Sequence, residues 1–150
     1  MGKNTVKLKK YVDINVEYEA HAAITPGMLI EVRSDGKVQK HGTEGGVALP
    51  MFALEDELQG KTIDDDYSAE SPVQCWVSVR GEEVYALLSH GESVDEGDFL
   101  VSKGDGTLKE ADSVGGNDAG TIVAMALEDL DLSSSDLYTA SGRRLKVRIF

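Results

Sequence analysis

Gly27-Met28-Leu29-Ile30, then Asp35-Gly36-Lys37-Val38, then Ala53-Leu54-Glu55-Asp56: this string decides the reading of the chain, because it comes twice. Seventy residues on, Gly97-Asp98-Phe99-Leu100 is followed by Asp105-Gly106-Thr107-Leu108. The second copy closes on Ala126-Leu127-Glu128-Asp129, at an offset of 73. The approach matches too, Ile24-Thr25-Pro26-Gly27 against Val94-Asp95-Glu96-Gly97, and each copy holds a Gly-Gly pair, Gly45-Gly46 and Gly115-Gly116. Asp-Gly is a favoured hairpin turn, and the three-residue insertion falls in a Gly-rich stretch where loops tolerate it. Asp-Gly hairpins recur by chance in β-rich chains, but four elements in one order at nearly one spacing argue for a true repeat. Two copies are too few for a solenoid. The repeat therefore predicts a body of two similar β-units, residues 24–56 and 94–129.

The flanking sequence reads as more strand. Residues 12–18 alternate, with Val12, Ile14, Val16 and Tyr18 on one face, the mark of a half-buried strand. Residues 71–80 place Val73, Cys75, Val77 and Val79 on one face and Trp76 on the other. Gly81-Glu82 then reads as a turn and residues 84–88 as the returning strand, a central hairpin between the units. The chain ends on another alternating strand, Leu145, Val147 and Ile149. Residues 130–138 have room for a short serine-capped helix. No longer run keeps a helical period, and turn signals recur every eight to twelve residues. The fold class is mainly β: a compact barrel or sandwich built from two similar β-units. Residues 1–12 form an extended basic N-terminal arm, and residues 13–150 a single β-rich domain.

Charge is segregated along the chain. The net charge is −12 over 150 residues. Residues 1–10 hold Lys3, Lys7, Lys9 and Lys10 and no acid; the last eight hold Arg143, Arg144, Lys146 and Arg148 and no acid. All 27 acids lie in residues 11–142, against seven bases, a net of −20 there. An acidic body repels nucleic acid, whose binding rests on cations neutralising phosphates. The basic ends have two readings: they pair with an acidic surface, or they only solubilise. No 18-residue apolar run is present to span a membrane, and the first ten residues lack the apolar core of a signal peptide. With Cys75 alone there is no disulfide within the chain. Its apolar strand neighbours make it a small buried hydrophobe rather than a nucleophile.

No catalytic constellation emerges. His21, His41 and His90 are scattered, without a partner at metal-ligand spacing, and read as surface or turn residues. Glu55-Asp56-Glu57 and Asp64-Asp65-Asp66 are either solvated charge in a loop at 55–66 or a cation site; the EF-hand spacing is absent. No glycine loop has P-loop or dinucleotide spacing. The string Gly91-x-x-Val94-x-x-Gly97-Asp98-x-Leu100 resembles hairpins of biotinyl and lipoyl domains. Those domains carry a modified lysine in a Met-Lys-Met type turn, which this chain lacks. No enzyme activity, cofactor or metal is expected.

A different resemblance covers residues 84–129, with an echo at 24–56. Val84-Tyr85-Ala86-Leu87-Leu88, Val94-Asp95-Glu96-Gly97-Asp98-Phe99-Leu100, Asp105-Gly106-Thr107-Leu108-Lys109 and Gly120-Thr121-Ile122-Val123-Ala124-Met125-Ala126-Leu127-Glu128-Asp129 resemble head decoration (capsid cement) proteins of tailed viruses. The resemblance implies a virion protein on the outer capsid surface. It implies a homotrimer on the assembled major capsid protein, stapling adjacent capsomers at three-fold positions. It makes the N-terminal arm the partner-binding segment, with Thr5, Val6, Leu8, Lys10 and Val12 as its contact residues, added as a strand to a capsid edge. Two alternatives stand beside it. One is a small-ligand or cation-binding β-module using Trp76, Tyr67 and Tyr85 as platforms. The other is a different virion part, such as a tail or fibre module.

Overall fold

The computed structural model describes residues 2–112, 119–134 and 143–150. The first half carries β2 (Ile14–Glu19), β3 (Ile30–Val32), β4 (Val38–Lys40), β5 (Met51–Ala53) and β6 (Pro72–Val77). The second carries β7 (Glu83–Leu87), β8 (Ser93–Val94), β9 (Phe99–Ser102), β10 (Leu108–Glu110), β11 (Ala124–Ala126), β12 (Leu130–Asp131) and β13 (Arg144–Ile149). A short β1 (Lys7–Lys9) precedes both. The chain is mainly β, its sheets antiparallel and sandwich-like, and among the described residues no sheet closes into a barrel.

The two halves share one pairing scheme. In the second, the sheet runs β7-β13-β11-β9-β10. In the first, β2-β6-β5 form a sheet, a bridge from Leu29 to Phe52 joins the approach to β3 onto β5, and β3 pairs with β4. The order β2-β6-β5-β3-β4 thus mirrors β7-β13-β11-β9-β10. Individual bonds repeat as well. The Gly27 amide donates to the Ala53 carbonyl at 2.8 Å, and the Gly97 amide to the Ala126 carbonyl at 2.9 Å. Asp35 accepts the Lys37 amide at 3.1 Å, and Asp105 the Thr107 amide at 3.0 Å. Gly36 and Gly106 supply the positive φ both turns need, 83° and 86°. The shared scheme runs over residues 14–77 and 83–149, well beyond 24–56 and 94–129. The flanking strands hide it because their surroundings differ. β2 is mostly exposed and alternates, whereas four of the five residues of β7 are buried.

Strand alternation gives the first half two buried faces. Met51, Ala53, Val73 and Cys75 join Ile24, Ile30, Val38 and Tyr67 in a core of its own. Phe52 and Trp76, paired across β5 and β6, point the other way and join Leu29 against the second half's core of Val84, Ala86, Leu100, Leu145 and Val147. Main chain stitches the halves: the Leu29 amide donates to the Gly106 carbonyl at 2.9 Å, and the Gly106 amide to the His41 carbonyl at 3.2 Å.

Several expectations need correction. Residues 71–80 and 84–88 form no hairpin. β6 pairs with β2 and β5, and β7 with β1 and β13. The Gly81-Glu82 corner carries the chain from one sheet to the next, and a buried carboxylate fixes it. Glu82 accepts the Val79 amide at 2.6 Å, the Tyr11 amide at 2.7 Å and the Val12 amide at 3.1 Å. His41 is no surface residue. It is buried, its Nδ1 2.7 Å from Ser102 Oγ and its Nε2 3.1 Å from the Val47 carbonyl oxygen. Where a helix had room at 130–138, Leu130 and Asp131 are strand β12, paired with β8. Residues 135–138, like the Gly115-Gly116 pair, lie outside the described residues.

Candidate functional site

The N-terminal segment is laid against the body rather than standing free as an arm. An extended chain with unpaired amides gains by completing a sheet edge, and β1 does so on β7, with Lys7 opposite Val84. Val6 is fully buried; its amide donates to Glu55 at 3.1 Å, and its carbonyl accepts the Tyr85 amide at 2.8 Å. Leu8 packs against the second core. Thr5 is half-buried beside a groove of about 660 Å³ walled by Asn4, Glu55, Lys61 and Asp64. Val6 and Leu8 are therefore used by the fold itself.

Lys10 and Val12 are on the surface. Lys10 pairs with Asp13 at 2.9 Å, and Lys7 reaches Asp13 and Asn15 from above the Trp76 ring, 5.4 Å from its centroid. Hydrogen bonds from the two ammonium groups hold the Asp13 carboxyl well below the usual carboxylate range. Beside them Tyr11 is 63% exposed, Val12 48% and Ile14 41%, an apolar surface at the start of β2. The sequence reading named Val12 as a contact residue and did not name the more exposed Tyr11. In the sequence Tyr11 is only an aromatic between lysine and valine; in the fold Glu82 accepts the amides of Tyr11 and Val12 and so fixes the backbone there.

The acidic loop is tied down from inside. Arg144, buried, donates to the Pro26 carbonyl at 3.0 Å, the Ile63 carbonyl at 2.6 Å and Asp64 at 3.2 Å. One of the basic C-terminal residues is thus an internal clamp. Asp65 accepts the Thr62 amide at 2.7 Å, which lowers its pKa. Two acids of the 64–66 run thus serve the loop's own geometry. Among the described residues no group of three His, Cys, Asp or Glu side chains could hold a metal ion. The proposed aromatic platforms are not available either: Trp76, Tyr67 and Tyr85 are all buried. Burial pushes the Cys75 thiol up to about 12, which removes the thiolate a nucleophile needs.

What the described residues offer is surface: an exposed apolar strand start, an open edge on β2 and an acidic exterior. No protein-family model matches the chain, and no curated protein sequence matches it. A solved structure does: the N base of the head fibre protein gp8.5 of bacteriophage phi29. It aligns at a TM-score of 0.59 over 93% of this chain and 95% of that one, with 14% sequence identity. At that identity the likeness is one of fold, and it spans nearly the whole of both chains.

Proposed function

We propose that the protein is a structural component of a tailed-virus particle, bound to the outside of the assembled major capsid shell. The observation that carries this reading is the shared fold with a phage head-fibre base over nearly the full length of both chains. The sequence resemblance to capsid decoration proteins points to the same particle surface. In this reading the protein staples adjacent capsomers as a homotrimer at three-fold positions. Three modest contacts made at once give tight binding through effective concentration. The acidic exterior keeps decorated particles apart and off nucleic acid.

The same neighbour favours a second reading, in which the domain seats a fibre on the head. The two share a capsid-facing surface and differ in what stands outward. Mixing the purified protein with shells that lack it, pelleting them, and measuring the free protein's mass by light scattering tests both. Saturable binding by a trimer supports stapling at three-fold positions. Saturable binding at a few sites per particle supports a fibre base. A chain that stays in the supernatant at all ratios refutes both.

A further inference from the structure

The two halves differ at one strand edge. In the second half the outer edge of β7 is filled. The Tyr85 amide donates to the Val6 carbonyl at 2.8 Å, and the Leu87 amide to the Gly27 carbonyl at 3.4 Å. The equivalents of Tyr85 and Leu87 in the first half are Glu17 and Glu19 of β2. The ladder shows where their backbone points. The Leu54 amide donates to the Gln74 carbonyl and the Ser78 amide to the Pro50 carbonyl, so Gln74 and Ser78 address β5. Antiparallel strands alternate sides residue by residue. Val73, Cys75 and Val77 therefore address β2, and their partners Tyr18, Val16 and Ile14 face inward. The amides and carbonyls of Asn15, Glu17 and Glu19 point outward. Among the described residues no strand runs along that edge; β4 meets only its far end, where Val38 bridges Ala20, the His21 amide donates to the Val38 carbonyl at 2.9 Å and the Glu19 carbonyl is thereby engaged.

The open stretch, the outward groups of Asn15 and Glu17 and the Glu19 amide, is a template for another strand, and its chemistry restricts what can fill it. One face presents Val16 and Tyr18, half-buried on the first core. The other presents Glu17 and Glu19, with Glu70 beside them; Lys37 bridges the last two at 2.8 and 2.6 Å. A second copy fits poorly in either orientation. Edge-to-edge pairing of β2 with β2 sets glutamates against glutamates, and like charges across strands are destabilising. A head-to-tail copy would present the Gly97 turn in the place of the Gly27 turn. That turn carries Asp95, Glu96 and Asp98, where the Gly27 turn has Thr25, Pro26 and Met28. The segment that covers the equivalent edge of β7 has the opposite character: Val6-Lys7-Leu8-Lys9.

We propose that the outer edge of β2 is a docking edge that takes an extended strand of a partner protein in which lysine or arginine alternates with aliphatic residues. The strand's backbone meets the outward groups of Asn15 and Glu17 and the Glu19 amide, its aliphatics cover Val16 and Tyr18, and its cations meet the glutamates. The inference rests on the strand ladders and not on the capsid reading, so it is tested in solution without any shell.

The probe is a synthetic peptide with the sequence of residues 4–10, Asn-Thr-Val-Lys-Leu-Lys-Lys, added to the full chain. Amide hydrogen exchange is followed residue by residue by NMR. The expected result is saturable binding that slows exchange at Asn15, Glu17 and Glu19 and weakens with added salt. Glu17→Lys combined with Glu19→Lys should weaken it about tenfold or more, by reversing two cross-strand charge pairs. Glu17→Pro should abolish it, since only an outward amide is lost. Unchanged protection at Val16 and Tyr18 shows that each variant keeps the β2–β6 ladder; if the proline variant loses it, the charge-reversal pair decides. Protection appearing at Tyr85 and Leu87 instead, no saturation, or self-association that slows the same three amides without peptide would each overturn the proposal.

Discussion

Alanine at Gly27 and alanine at Gly97 impose the same local strain in two different surroundings. The glycines sit at φ of 96° and 100°, where an L side chain is disfavoured. That strain costs about 1–3 kcal/mol at each site. A Cβ on Gly97 meets nothing within 4 Å, whereas one on Gly27 meets the Tyr85 carbonyl oxygen at 3.0 Å, Arg144 Nε at 3.4 Å and Leu87 Cγ at 3.7 Å. All three belong to the second half, and the carbonyl is main chain that cannot swing aside. Overpacking of this kind adds about 1–3 kcal/mol. Gly36 and Gly106 repeat the comparison: a Cβ on Gly36 meets nothing within 4 Å, and one on Gly106 meets Lys40 Cβ at 2.9 Å and Met28 Sδ at 3.1 Å. Urea unfolding of the four single variants reads the costs. Gly27→Ala and Gly106→Ala should each be about 1–3 kcal/mol worse than Gly97→Ala and Gly36→Ala, or several degrees in Tm for a chain of this size. Equal costs within each pair would refute the close abutment of the two halves.

Four further outcomes follow from the packing. Deleting residues 1–12 removes Val6 and Leu8 from the second core and should cost about 2–4 kcal/mol; thermal unfolding of the truncated chain measures it, and an unchanged Tm would contradict the docked segment. Arg144→Met strands the Pro26 and Ile63 carbonyls and should cost about 2–4 kcal/mol, with new protease cleavage within residues 55–66; a loop as resistant as before would contradict the clamp. Cys75, buried with its thiol pushed up to about 12, should resist a thiol reagent at neutral pH until the chain unfolds; rapid labelling of native protein would contradict its placement. The folded Asp13 carboxyl titrates below its unfolded value, so its contribution is complete above the usual carboxylate range and is lost only as pH falls through the lowered value. An NMR titration of that carboxyl should give a midpoint below the ordinary aspartate range; a midpoint at or above it would contradict the pairing with Lys7 and Lys10.

The parts of the fold legible in the sequence are those fixed by local chemistry. The Asp35-Gly36 and Asp105-Gly106 turns need a short acceptor followed by a residue that tolerates positive φ, so both hairpins could be read directly. What stayed hidden depends on distant partners. Gly81-Glu82 looks like a hairpin turn, yet Glu82 answers to amides about seventy residues earlier, which no local pattern reports. Arg144 looks like terminal charge until Pro26 and Ile63 place it inside. Val6 in a lysine-rich start looks available for a partner, but β7 presents an unfilled edge closer to hand. At the candidate site Lys10 and Val12 remain on the surface. The open edge of β2 was invisible because it is defined by what is missing next to it relative to β7.

The most direct test of the capsid account is a cryo-electron microscopy difference map between shells with and without the protein. The account predicts added density on the outer surface, in three copies of this chain around three-fold positions, or at a few sites as the foot of a projecting fibre. Identical maps, or added density confined to the interior or the tail, would contradict it.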